Sequence, residues 1–157
     1  MMTEDSFSIN ISLRHRDPSY SPESISKALS LKPLAAYSVG CKQLGKVRSK
    51  WSSYYAHLQN GDYDSEFEGA LKRVVSFLKK NNDFWTDFIV GDGSVTLILN
   101  HTINPEWKNG DKCFELSLTP TFLSDLSARG IGLRVQGWQG PTQKRKSAPP
   151  AKGTRIG

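Results

Sequence analysis

The sequence predicts an α+β fold, a two-layer sandwich in which a five-stranded, largely antiparallel sheet carries helices on one face. Three observations lead there. Several short runs alternate apolar and polar residues with a period of two, the mark of half-buried strands. Between them lie stretches with apolar residues at helical spacing, two of them opened by Ser or Thr followed by Pro. The 157 residues are 37% hydrophobic and 23% charged, too apolar for a disordered chain and sufficient for one domain with a real core.

The elements follow in order. Phe7, Ile9, Ile11 and Leu13 alternate with Ser8, Asn10, Ser12 and Arg14, a first strand. After a turn at Asp17-Pro18, Ser21 is a good N-cap, Pro22 suits the first helical position and Glu23 suits the positive helix end. Ile25, Ala28 and Leu29 then line a helix that stops before Pro33. Residues 35–50 show no period and read as a loop. Residues 51–58 are aromatic and β-prone, a second strand, and Asn60-Gly61-Asp62 reads as a turn. The longest helix opens on a capping-box pattern, Ser65 and Glu68. Phe67, Leu71, Val74, Val75 and Leu78 line one face of it, and Lys79 and Lys80 close it. Residues 83–88 read as a short helical turn packing aromatics. Gly91-Asp92-Gly93 turns into a third strand with Val95, Leu97 and Leu99, and a loop leads to a fourth with Phe114, Leu116 and Leu118 inward. Thr119-Pro120 opens a helix carrying Phe122, Leu123 and Leu126 and closed by Gly130. Ile131, Leu133 and Val135 form the last strand, and Trp138 ends the domain. The two outer β-α-β units resemble each other, a weak internal repeat that points to ferredoxin-like split β-α-β units.

Charge divides the chain. Residues 1–140 hold 16 Lys and Arg against all 15 acids, whereas the last 17 residues hold Lys144, Arg145, Lys146, Lys152 and Arg155 with no acid. The formal net charge of +6 therefore belongs almost wholly to the end of the chain. With Ile156 its only large apolar residue, that stretch cannot offset the entropy of ordering it, so residues 5–138 are expected to be the domain and 139–157 a disordered basic tail. No apolar run approaches the ~18 residues of a membrane-spanning helix. The start, Met1 to Ser6, is too acidic and polar for a signal peptide. Cys41 and Cys113 are too few for a disulfide scaffold, and a cytoplasmic setting with free thiols is expected.

Few motifs carry chemistry. Gly40 to Val47 nearly spells a phosphate-binding loop, but Val47 replaces the hydroxyl that would hold magnesium, and no helix is expected after it. His15, His57 and His101 fall near strand ends without metal-ligand spacing, and read as partly exposed strand-end residues. Asp62, Asp64, Glu66 and Glu68 gather at a helix start, where the helix dipole explains them. Cys41 has no base near it in sequence. No catalytic residue, metal or cofactor is expected. The loop is basic, however. Lys42, Lys46, Arg48 and Lys50 occur without an acid, and Trp51, Tyr54 and Tyr55 follow at once. Cations beside stackable rings are what single-stranded nucleic-acid binding uses. Strand parity lets only one of the two tyrosines share the face of Trp51, and that is Tyr55. The candidate binding surface is thus Lys42, Lys46, Arg48, Lys50, Trp51 and Tyr55, with Lys144, Arg145 and Lys146 of the tail.

Ser21-Pro22-Glu23-Ser24-Ile25-Ser26-Lys27, followed by Leu29, Leu31 and Pro33, then Gly40 and Trp51, Leu116-Ser117-Leu118, and the run from Phe122 to Leu133, resembles an uncharacterised bacterial family of domains of unknown function, number four-two-seven-nine of that series. The resemblance covers roughly residues 5–138 and implies a small α+β domain without established catalytic residues. The basic tail and the near phosphate loop are outside its pattern.

Two functions are expected from these features. The first is a non-enzymatic, cytoplasmic protein-binding domain, in its most concrete form an immunity-type protein that blocks a toxin. The alternative is a nucleic-acid-associated protein that binds through Lys42 to Trp51 and, without sequence preference, through the tail.

Overall fold

The structure, a computed structural model, describes residues 5–40, 42–43, 47–103 and 116–139. In chain order the elements are β1 (Ser6–His15), α1 (Pro22–Leu29), β2 (Pro33–Tyr37), β3 (Lys42–Gln43), β4 (Val47–Arg48), β5 (Ser52–Asp62), α2 (Tyr63–Lys80), α3 (Asn82–Val90), β6 (Ser94–Ile103), α4 (Pro120–Ala128) and β7 (Gly132–Gln139). The main sheet has the strand order β2-β5-β1-β6-β7. β1 is antiparallel to both β5 and β6, and β5 is antiparallel to β2. Hence β1-α1-β2 brackets β5, while β5-α2-α3-β6 brackets β1. These are two interlocked split β-α-β units, the ferredoxin-like arrangement expected from sequence. α4 and β7 extend the sheet, β7 running parallel to β6.

The alternation read in β1 sends Phe7, Ile9, Ile11 and Leu13 into the core. Tyr54 and Ala56 of β5 and Val95, Leu97 and Leu99 of β6 join them. Ile25 and Leu29 of α1, Phe67, Leu71, Val74 and Leu78 of α2, Trp85 and Phe88 of α3, and Phe122 and Leu126 of α4 belong to the same cluster. All four described helices therefore cover one face of the sheet, and the fold is an α+β two-layer sandwich.

The expected caps of α1 and α4 are present. Ser21 Oγ accepts the Ser24 N–H at 3.2 Å and Thr119 Oγ1 the Phe122 N–H at 3.1 Å, each with proline next in the chain. Gly130, at φ 72°, ends α4, and the Ile131 N–H returns to the Leu126 carbonyl at 3.0 Å.

Other expectations are corrected. The stretch 35–50 is not all loop, because it contains most of β2 and the small β3–β4 hairpin. Asn60-Gly61-Asp62 is no turn: β5 runs straight into α2. A Cβ on Gly61 would displace the Glu66 carboxylate, which folds back to accept the Asp62 N–H at 3.3 Å. That contact replaces the capping box at Ser65 and Glu68, and α2 starts at Tyr63. Residues 83–88 belong to a full helix, whose Trp85 donates its indole N–H to the Leu78 carbonyl at 2.9 Å and locks α3 onto the end of α2. The expected fourth strand is absent at Leu116 and Leu118, which pack against the core without strand structure. Phe114 lies outside the described residues, as do Cys41, Cys113 and the tail beyond residue 139. Among the described residues the second outer unit has no opening strand, and the repeat the sheet shows is the pair of split units. No helix among the described residues is long and apolar enough to cross a membrane.

Candidate functional site

The other face of the sheet carries no described helix. Its side chains come from the positions that alternate with the core residues, namely Ser8, Asn10, Ser12 and Arg14 of β1, with Ser53, Tyr55 and His57 of β5 paired to the last three. On the other side Thr96, Ile98, Asn100 and Thr102 of β6 continue the rows into Gly132, Arg134, Gln136 and Trp138 of β7. Most of these side chains are small or neutral, which leaves the rings and cations prominent.

Two polar ladders cross the strands. Asn10 donates to the Tyr55 hydroxyl at 2.8 Å, and its carbonyl oxygen meets His57 Nδ1 at 3.0 Å. The Trp138 indole N–H donates to Asn100 Oδ1 at 3.2 Å, and Asn100 in turn donates to Ser8 Oγ at 3.3 Å. These bonds fix the tilt of the Tyr55, His57 and Trp138 rings, because each ring is held at a polar atom while its body stays on the sheet. Tyr55 is half-buried, His57 is exposed, and Trp138 is 55% exposed. Asn10 and Ile98 are buried between their neighbours.

At one end of this face stands Trp51, just before β5. The guanidinium carbons of Arg14 and Arg16 lie 4.7 and 4.6 Å from its ring centroid, within the range of cation–π attraction. The Trp51 backbone is fixed by Ser49, whose hydroxyl accepts the Trp51 N–H at 3.1 Å and donates to its carbonyl at 2.7 Å. Ser49 also closes the base of the β3–β4 hairpin, its carbonyl accepting the Gly40 N–H at 2.7 Å. Apart from Asp62, at the far end of β5, none of the described positions on this face is acidic. The carboxylates of the described residues lie elsewhere, on helices and turns or buried at Asp5.

The sequence-derived candidates divide accordingly. Trp51 and Tyr55 stand on the helix-free face, and Tyr54 is in the core, where its hydroxyl lies 2.7 Å from Ser26 Oγ. Lys42 and Arg48 are paired in the hairpin register, and Lys50 is exposed beside Trp51. Lys46, Lys144, Arg145 and Lys146 lie outside the described residues. Arg14, Arg16, Arg134 and Trp138 are not among the sequence-derived candidates. Parity was the available signal for Arg14, which shares the outward side of β1 with Ser8 and Asn10.

The histidines do not converge. His15 and His101 are each 2% exposed, against the expectation of partial exposure, and they sit toward opposite ends of β1. His15 stacks on Tyr20 at 4.3 Å and accepts the Asp17 N–H on Nδ1 at 3.0 Å. His101 stacks on Tyr63 and meets the Asp5 carboxylate at 3.2 Å. His57 lies on the other face of the sheet, and no metal-binding group occurs among the described residues. Near His15, the Asp17 carboxylate is held below its ordinary pKa, mainly because it accepts the Ser19 N–H at 2.9 Å. The near phosphate loop, Gly40 to Val47, overlaps the β3–β4 hairpin, and the next element is β5, so it lacks the helix N-terminus that phosphate cradling requires.

Comparisons with protein-family models, with curated proteins and with solved structures find no match to this chain.

Proposed function

We propose that the protein is a non-enzymatic binding domain, working in the cytoplasm, whose helix-free sheet face takes single-stranded nucleic acid. One observation carries this reading: rings and cations share a face that is almost free of carboxylates. Bases stack on exposed rings with little sequence preference, and guanidinium groups engage the phosphates between them. Splayed bases on an open sheet are an established mode of single-strand recognition. The near-neutral charge of residues 1–140 argues less against this than it does in the sequence alone, because most acids are segregated from the face. The basic tail leaves from the end of β7, next to Trp138, and supplies further counterion release.

The test is fluorescence anisotropy with labelled single-stranded DNA and RNA oligonucleotides at low salt. Tyr55→Ala should weaken binding by about 5-fold to 150-fold, the range for losing one stacked base. A full chain that binds no oligonucleotide, or a Tyr55→Ala variant that binds like wild type, overturns the reading.

A second reading keeps the protein-binding, toxin-blocking role, and one observation favours it. β7 is an edge strand with Val135 40% and Trp138 55% exposed, and an edge of this kind can accept a partner's strand. Recovery of a stoichiometric protein in a pull-down from the native cell, with no oligonucleotide binding, would decide for it.

A further inference from the structure

We infer that Arg14, Arg16 and Trp51 form a corner that anchors a backbone phosphate of the bound strand. This rests on the nucleic-acid reading above and adds to it a polar anchor distinct from the stacking rings.

Two guanidinium carbons at 4.7 and 4.6 Å from one ring centroid are like charges within about 9.3 Å of each other. Among the described residues neither is in an ion pair, and both are exposed. The nearest acid in sequence, Asp17, is occupied with the Ser19 N–H at 2.9 Å. Mutual repulsion at such a corner is relieved by an anion, and a phosphate matches the forked N–H geometry of arginine. Contact with an aromatic ring leaves the N–H edges of a guanidinium free to donate.

The corner is also preorganised from behind. His15, between the two arginines in sequence, points into the core, where it stacks on Tyr20 and meets the edge of Phe88 at 4.7 Å. The strand therefore cannot rotate to separate Arg14 from Arg16 without unpacking a buried ring. In the connection leading into β5, Ser49 clamps both polar groups of the Trp51 backbone. Tyr55 lies four residues along β5 from Trp51 on the same side, about 13 Å away at ordinary strand rise. A strand anchored at the corner thus reaches Tyr55 and His57 with its next bases.

The experiment uses the full chain and a short labelled oligothymidylate, with anisotropy measured over a range of salt. In the doubly substituted Arg14→Gln, Arg16→Gln protein, the slope of log affinity against log salt should fall by about 0.7, the value for one lost phosphate contact on a single strand. Affinity near 0.1 M salt should fall at least tenfold, and Arg14→Lys, Arg16→Lys should restore most of the slope. Thermal melting checks that the variants remain folded. An unchanged slope in the Gln variant, with binding still sensitive to Tyr55→Ala, overturns the corner and leaves the stacking face standing. No binding by wild type overturns both. Displacement of the oligonucleotide by low-millimolar inorganic phosphate, but not by sulfate, would identify a free-phosphate site and overturn the backbone assignment.

Discussion

Gly93→Ala probes how firmly that corner is held from behind. Gly93 joins α3 to β6, and a Cβ on it would stand 2.5 Å from both the Phe88 ring and the Phe88 carbonyl oxygen, and 2.6 Å from His15 Cδ2. The carbonyl cannot turn aside, because it ends α3 by accepting the Gly93 N–H at 2.9 Å. His15 cannot yield easily either, being 2% exposed and packed between Tyr20 and Phe88. Overpacking a filled site costs ~1–3 kcal/mol, and with three confined atoms inside contact distance the upper end, about 3 kcal/mol, is expected. For a urea m-value of about 2 kcal/mol/M, the unfolding midpoint drops by roughly 1.5 M. Gly40→Ala is the matched control. It has φ 86° and no atom within 4 Å of its Cβ, so it meets only left-handed strain, about 1–2 kcal/mol. Urea unfolding followed by circular dichroism measures both. A Gly93→Ala protein within ~0.5 kcal/mol of wild type, or more stable than Gly40→Ala, refutes the close packing around His15. Since His15 lies between Arg14 and Arg16, Gly93→Ala should also weaken oligonucleotide binding under conditions where it remains folded.

Three further outcomes follow from contacts already described. Thr119→Ala removes the α4 cap at Phe122 N–H and should cost about 1 kcal/mol in urea unfolding, and no change would mean that the cap contributes nothing in this context. Tyr54→Phe leaves the Ser26 hydroxyl without its 2.7 Å partner and should cost ~1–2 kcal/mol; adding Ser26→Ala should cost less than the two single changes summed, and strict additivity would show that the pair is not coupled. Burial first, and then the Asp87 and Asp17 carboxylates, hold the Tyr20 phenol above its ordinary 10.0, so the unfolded chain loses this proton at lower pH than the folded one. Stability must then decline as the pH rises through 10.0 toward the folded value, and Tyr20→Phe should flatten that decline in a series of thermal melts, whereas parallel alkaline limbs would reject the effect.

Local chemistry made part of this fold legible. β1 and β6 are central strands with one face on the core, so an apolar residue recurs at every second position of Phe7 to Leu13 and of Val95 to Leu99. α1 and α4 announce themselves through an N-cap side chain and a following proline, signals that act within three residues. β2 shows only as a weak strand in the sequence because it lies at the edge and buries little, with Leu34 64% exposed, so Pro33 to Tyr37 has no need to alternate. Leu116 and Leu118 misled for the opposite reason: they alternate to reach the core from a segment that is not a strand. In the site, parity correctly separated Tyr55 from Tyr54. Arg14 and Arg16 were missed because their meeting with Trp51 depends on the β1–β5 register, in which Arg14 stands opposite Ser53. That partnership spans nearly forty residues of chain and leaves no local trace.

The interlocked split units also bear on how the chain is made. β1 leaves the ribosome ahead of both its neighbours in the sheet, β5, ending at Asp62, and β6, which is paired as far as Thr102 opposite Ser6. At ~5–20 residues per second the first strand waits about 5–20 s before its second flank exists. Throughout that interval Phe7, Ile9, Ile11 and Leu13 have no complete core to enter. Consolidation of the sheet around β1 therefore waits until β6 has emerged, and the apolar face of its first strand stays incompletely covered until then.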